Sequence, residues 1–246
     1  MKNFNTDNSH VRDSRIVFDE ASHTYTHNGQ VFKSVTTIVE ECFEQFDADY
    51  WSKKKAPSLG MTPQEVLDMW ARKGEEARNL GTQLHHKIER HYLGLPNTSD
   101  ATYRLFEQFT ETHKLIPYRT EWAIYDEETA TAGTLDFLNF QNGEFTIYDW
   151  KRSNKILVNG EPEKCNKWNK RAFSPIDHVY DTTYWHYALQ VSIYRYILEK
   201  NYGIIVSNSK LAIFHPDNER PYVIDIPYMK DEVIAVLNNR KLSLQG

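Results

Sequence analysis

Hydrophobic and polar positions alternate with period two in three consecutive stretches of the chain. RTEWAIYDEE, TAGTLDFLNF and EFTIYDWK read as β-strands, separated by DEET and QNG turns. Before them the period is closer to four. Leu80, Leu84, Ile88 and Tyr92 form one apolar stripe of a helix that Thr62-Pro63-Gln64-Glu65 opens. A break is expected in it near Gly74 or Gly81, and LGLPN ends it. Asp47 could cap a helix through YWSKKKA, and Ser34 or Thr36 one through TTIVEECF. ATYRLFEQFTETHKL is a further helix. Nearer the N-terminus, RIVFDEASHTYTHNGQVFKSV predicts short strands about Asn28-Gly29, and residues 1–14 predict a flexible tail. After the third long strand come a polar stretch over 152–180 and a helix, YWHYALQVSIYRYILEKNYG, with Gly203 as its stop. Two strands, KLAIFHP and YVIDIP, and a last helix, DEVIAVLNNRKL, complete the chain. The order predicts one mixed α/β domain, with a central sheet carrying helices. Residues 15–79 form an N-terminal strand-and-helix extension and 80–246 the core.

The 246 residues carry a formal charge of −5, which excludes a uniformly basic nucleic-acid packaging protein but not a local basic patch. The two cysteines make no disulfide framework and no four-cysteine iron–sulfur cluster. No apolar run reaches a membrane span and the N-terminus has no signal-like apolar region, so a cytoplasmic protein without a membrane partner is expected.

Chemistry concentrates at the ends of the strands. In EFTIYDWK, alternation puts Asp149 and Lys151 on one face, beyond Phe145 and Ile147. A carboxylate and an amine two apart can hold a metal and orient a water, and can equally be a strand-end ion pair. A hairpin through QNG brings Asp136 of TAGTLDF near Asp149, and two carboxylates on one face call for a proton or cation between them. Gly133 permits a close backbone approach or a bulge there. On the helix, His85 and Glu89 lie beside the apolar stripe, four apart. They could face a site or pair on the surface. Gln190 lies four before Tyr194 within an apolar helix face and needs a partner.

Gly81 to Glu89 (GT-x-x-H-x-x-x-E), Gly133 to Asp136 (G-T-L-D), Asp149 to Lys151 (D-W-K) and Gln190 to Tyr194 (Q-x-x-x-Y) occur in this order. Together they resemble the PD-(D/E)xK nuclease superfamily, in its RecB-type exonuclease branch, over roughly residues 80–200. SVTTI and FDADYWSKKKA look similar to phage-type and mitochondrial genome maintenance members of that branch. The resemblance implies a restriction-endonuclease-like core of helix, three-stranded mixed sheet, helix and strand. It also implies a Mg²⁺- or Mn²⁺-dependent DNA exonuclease without an iron–sulfur cluster, acting on single strands or ends. By the same resemblance His85, Asp136 and Asp149 are metal ligands, with the carbonyl of Trp150. Lys151 orients the attacking water, and Gln190 and Tyr194 support the site and contact DNA. Glu121, before the first of the strands, is a weaker candidate. The competing reading is a catalytically silent nucleic-acid-binding accessory protein with the same fold.

Residues 151–172 hold seven cations against Glu161 and Glu163, a net of +5. Lys164, Lys167, Lys170 and Arg171, with Trp168 for stacking, are read as a basic arm along the DNA backbone. A solvated loop is the simpler alternative.

Overall fold

In the computed structural model, residues 3–245 are described. Three long antiparallel-connected strands form the centre: β4 (Pro117–Asp126), β5 (Thr131–Gln141) and β6 (Glu144–Lys151). The β5–β6 hairpin turns at Asn142-Gly143, both with positive φ, as a two-residue turn requires. The N-terminal region supplies β1 (Ile16–Asp19), β2 (Thr24–His27) and β3 (Gln30–Ser34), an antiparallel meander with its own turn at Asn28-Gly29. The C-terminal region supplies β9 (Val206–Ile213) and β10 (Tyr222–Asp225). They join one mixed sheet in the order β1-β2-β3-β5-β6-β9-β10, with β4 also on β5. β3 meets β5 in parallel, and β9 meets β6 in parallel. A separate two-stranded hairpin, β7 (Leu157–Val158) and β8 (Glu161–Pro162), lies in the polar stretch.

Among the described residues, seven α-helices accompany the sheet: α1 (Phe4–Asp7), α2 (Val35–Glu41), α3 (Ala48–Leu59), α4 (Pro63–Tyr92), α5 (Ala101–Thr112), α6 (Thr183–Asn201) and α7 (Lys230–Ser243). Apolar side chains of α2, α6 and α7 bury one face of the sheet, around Val35, Ile38, Leu135, Leu138, Ile147, Val191, Ile193 and Val233. The C-terminal half of α4 and the aromatic face of α5 bury the other, around Leu84, Ile88, Phe106, Phe109, Phe137, Trp150 and Phe214. The expected mixed α/β class is the observed one, a sheet between two helical layers.

Local sequence accounts for the helix ends. Ser34, Asp47, Thr62, Asp100 and Thr182 each accept a backbone N–H of the first turn with a side-chain oxygen. Thr62 and Glu65 form a reciprocal capping box. Gly203 takes φ +67 after α6, with Ile204 N donating back to Leu198 O.

Two expectations are corrected. α4 runs unbroken through Gly74 and Gly81 for 30 residues. Each glycine costs an interior helix only about 1 kcal/mol relative to alanine, which the capping box and the apolar stripe outweigh. Residues 3–14 are not a loose tail. Phe4 is buried, and the segment is hydrogen-bonded to β4 at several points. Its hydrophilic composition hides this, because it docks with polar side chains rather than an apolar stripe.

Candidate metal site

The ladder between β5 and β6 stops at Phe137, paired with Tyr148. β6 pairs with β9 from Phe145 onward, and beyond Tyr148 only this second ladder continues, out to Lys151 opposite Ile213. The next residues, Asp136 and Asp149, stand where the two strands part. A side chain takes over from the backbone ladder: Trp150 N donates to Asp136 Oδ2 at 2.8 Å.

On the other side of β5, Thr120 lies opposite Phe137 and Trp122 opposite Leu135. Glu121 is therefore the cross-strand neighbour of Asp136. Directly opposed carboxylates repel each other, and here a cationic side chain stands between them. His85 Nδ1 lies 3.4 Å from Glu121 Oε1 and 3.6 Å from Asp136 Oδ1. His85, Glu121 and Asp136 each offer one donor atom within 4.8 Å of the others.

The tautomer of His85 follows from its second bond. Nε2 lies 3.0 Å from the Trp150 carbonyl oxygen, which can only accept. Nε2 therefore carries a proton, and Nδ1 is the atom directed at the carboxylates. Burial alone would lower the imidazole pKa, but Asp136 and Glu121 outweigh it and raise it to about 9. At neutral pH Nδ1 thus carries a proton that occupies the place of a cation. Burial raises the Asp136 carboxyl above its ordinary value despite His85 and Lys151.

Asp149 and Lys151 form a second, deeper unit. Lys151 Nζ is 2.5 Å from Asp149 Oδ2, and the Asp149 side chain is 1% exposed. Neither Asp149 oxygen has a well-directed hydrogen-bond donor, so this buried carboxylate relies on the Lys151 ammonium alone. Burial, offset in part by Lys151, raises Asp149 to about 6. Burial disfavours the Lys151 ammonium, yet Asp149 and Asp136 together raise its pKa. The ammonium also sits 4.7 Å from the centre of the Tyr187 ring.

α6 supports this arrangement from beneath. Gln190 Nε2 donates to Tyr194 Oη at 3.0 Å, which supplies a partner for the half-buried amide. Tyr194 is buried against the backbone of Gly133: a Cβ added there would lie 2.6 Å from Tyr194 Cε1. Gly133 is thus needed for space, and the close approach it permits is that of a tyrosine ring.

The predicted residues therefore fall into three groups. His85 and Asp136 come together, Asp149 and Lys151 pair beside them, and the Trp150 carbonyl is engaged by His85. Glu121, the weaker candidate from sequence, takes its place with His85 and Asp136. Its signal is a backbone one: φ is +44 in mid-strand, a conformation glutamate rarely adopts. Glu89 lies outside the group that could hold a metal. Tyr194 is 3% exposed, which removes it from direct contact with a nucleic acid and leaves it as support. His86, on the outer face of α4, lies 3.4 Å from Glu20.

The basic stretch is partly committed to the protein itself. Lys170 pairs with Glu44 at 2.6 Å. Arg171 donates to His178 O and Tyr180 Oη. Lys164 and Lys167 lie over the Tyr184 and Trp168 rings, and Trp168 is 70% exposed. No helix among the described residues is long and apolar enough to cross a membrane.

No family model matches the chain, and no curated protein matches it. Solved structures similar to it include the following two. SSO0001 has 16% identity over 87% of this chain and 76% of its own, with a TM-score of 0.33. A structure named "Putative exonuclease", from Eubacterium rectale, has 12% identity over 87% of this chain and 79% of its own, also with a TM-score of 0.33.

Proposed function

We propose that this chain is a divalent-metal-dependent phosphodiester hydrolase acting on DNA, as an exonuclease on single-stranded or end-containing substrates. The observation that carries the reading is the convergence of His85, Glu121 and Asp136 beside the buried Asp149–Lys151 pair. The donor set fits a small divalent cation. It offers one imidazole nitrogen and two carboxylates, with a further buried carboxylate alongside that lacks well-directed donors. Mg²⁺ needs few protein carboxylates because it keeps several waters, and the imidazole equally suits Mn²⁺. His85, Glu121 and Asp136 would hold the ion, with Asp149 adjoining. When bound, the ion lowers the pKa of water and offsets charge on a phosphoryl oxygen.

The remaining roles belong to the chain. His85 Nε2–H, held on the Trp150 carbonyl, keeps Nδ1 aimed at the carboxylates. Asp149 and the Tyr187 ring fix the Lys151 ammonium. From there Nζ donates to an attacking water or a phosphate oxygen and offsets the charge that develops at phosphorus. Burial of this pair keeps its field strong where water is scarce.

The test is end-labelled linear single-stranded, linear duplex and circular DNA, incubated with Mg²⁺, Mn²⁺ or EDTA. Metal-dependent shortening of the linear molecules with survival of the circles is expected. Cleavage of the circles would make the enzyme an endonuclease. Binding without cleavage under every metal would leave the accessory-protein reading in its place.

A further inference from the structure

Glu121 adopts φ +44 within β4, a strained backbone conformation that persists only where its surroundings enforce it. The enforcing contacts come from the segment before β1. Asn5 binds the residue preceding Glu121 twice: its Oδ1 accepts from Thr120 N at 2.9 Å, and its Nδ2 donates to Thr120 Oγ1 at 3.1 Å. Asn8 Nδ2 donates to Tyr118 O, and Asn8 O accepts from Arg119 Nη1. Asp13 spans the strained residue. Its Oδ2 accepts from Arg119 Nη1 at 2.7 Å and its Oδ1 from Trp122 Nε1 at 2.8 Å. In a regular strand, residues three apart point to opposite faces. Arg119 and Trp122 nevertheless meet on one carboxylate, with the guanidinium 4.3 Å from the indole centre. The left-handed residue between them is what allows this, so the two bonds to Asp13 hold only while the kink holds. Burial opposes ionisation of Asp13, but donors from His10, Arg119 and Trp122 outweigh it and keep the carboxyl below its usual pKa.

We propose that the segment from Asn5 to Asp13 is a positioning element for the metal site, holding Glu121 in the kinked conformation that turns its carboxylate toward His85 and Asp136. The metal-binding part of this inference rests on the reading of the site given above. The kink itself does not.

Two measurements on the full chain test it. The first is Mn²⁺ affinity by calorimetry, without DNA, for Asp13→Asn, Glu121→Ala and the double variant. Loss of a residue that orients a ligand typically weakens metal binding 10–100-fold, so Asp13→Asn should weaken Mn²⁺ by about tenfold. In the Glu121→Ala background it should change nothing further, because it acts through Glu121. An equal loss in both backgrounds would reduce Asp13 to general structural support and overturn the proposal. The second is the crystal structure of Asp13→Asn, or of the milder Asn5→Ala should the first not fold. Glu121 should return to negative φ, and a retained positive φ would overturn the proposal. Wild-type protein that binds no Mn²⁺ would refute the metal site, and the backbone of the variant would still decide whether the segment holds the kink.

Discussion

Gly133→Ala tests whether Tyr194 really sets the floor of the site. The added methyl would lie 2.6 Å from Tyr194 Cε1, 3.2 Å from its hydroxyl oxygen and 3.2 Å from Val35 Cγ2. Comfortable carbon–carbon separations are about 3.5–4.0 Å, so the ring must retreat by roughly 1 Å. It has little room to do so. Tyr194 is 3% exposed and is held by Gln190, and Val35 is fully buried. Overpacking of this kind costs about 1–3 kcal/mol, and three simultaneous close contacts place this case near the upper end. For a domain of this length each kcal/mol moves Tm by about 2–4 °C, which gives a fall of roughly 5–10 °C, readable by circular dichroism and checked by urea titration. The identity of the obstructing atom is testable as well. Tyr194→Phe removes the hydroxyl but leaves the ring edge, so it should not rescue Gly133→Ala. Tyr194→Leu removes the edge, so its combination with Gly133→Ala should cost at least 1 kcal/mol less than the two changes summed. A Gly133→Ala protein melting within 1 °C of wild type would refute the packing argument.

Asp136→Ala, Asp149→Asn and Lys151→Met should each lower DNA cleavage by orders of magnitude in a gel assay. Breaking the buried pair costs about 3–5 kcal/mol, so unfolding curves must accompany the last two, and a folded Lys151→Met with normal turnover would sink the mechanism. His85→Ala should weaken Mn²⁺ binding while His86→Ala, on the outer face of α4, leaves it unchanged, as read by metal titration. Because His85 must lose its Nδ1 proton to bind a cation and titrates at about 9, Mn²⁺ affinity should rise with pH between 6 and 8 and level off above about 9. Calorimetry in two buffers of different ionisation enthalpy would detect the released proton. Changing Lys164 and Lys167 to Gln should flatten the log–log salt dependence of single-strand binding by about 1.4, at about 0.7 per lost contact. Lys170→Gln should alter it little, because that lysine is paired with Glu44.

What could be read from the sequence depended on periodicity. The three central strands, the α6 helix and the strand after it carry strong alternation or a clear stop signal, and they fold as that pattern dictates. Asp136, Asp149 and Lys151 could be placed together because a hairpin and a two-residue period suffice to do so. Glu121 was harder to see. Its importance comes from a positive φ and from its position opposite Asp136, and glutamate gives no local signal of either. Asn5, Asn8 and Asp13 were invisible for a related reason. Their partners are more than 100 residues away, and polar residues near a terminus have the same composition whether docked or free. A charge count likewise does not reveal that Lys170 and Arg171 have partners within the chain.

The parallel pairing of β6 with β9 sets the order in which the protein can assemble. The β5–β6 hairpin is closed by a two-residue turn and can form early, carrying Asp136 and Asp149. Lys151 is fixed in register only when Ile213 arrives beside it, after residues 152–205, including all of α6, have found their place. Closing so long a loop is entropically unfavourable until the contacts it brings are made, and such pairings are slow. In refolding experiments, secondary structure should therefore recover ahead of the Asp149–Lys151 pair, and a chain stalled between these stages would hold acidic residues on an open sheet edge without their counter-charge.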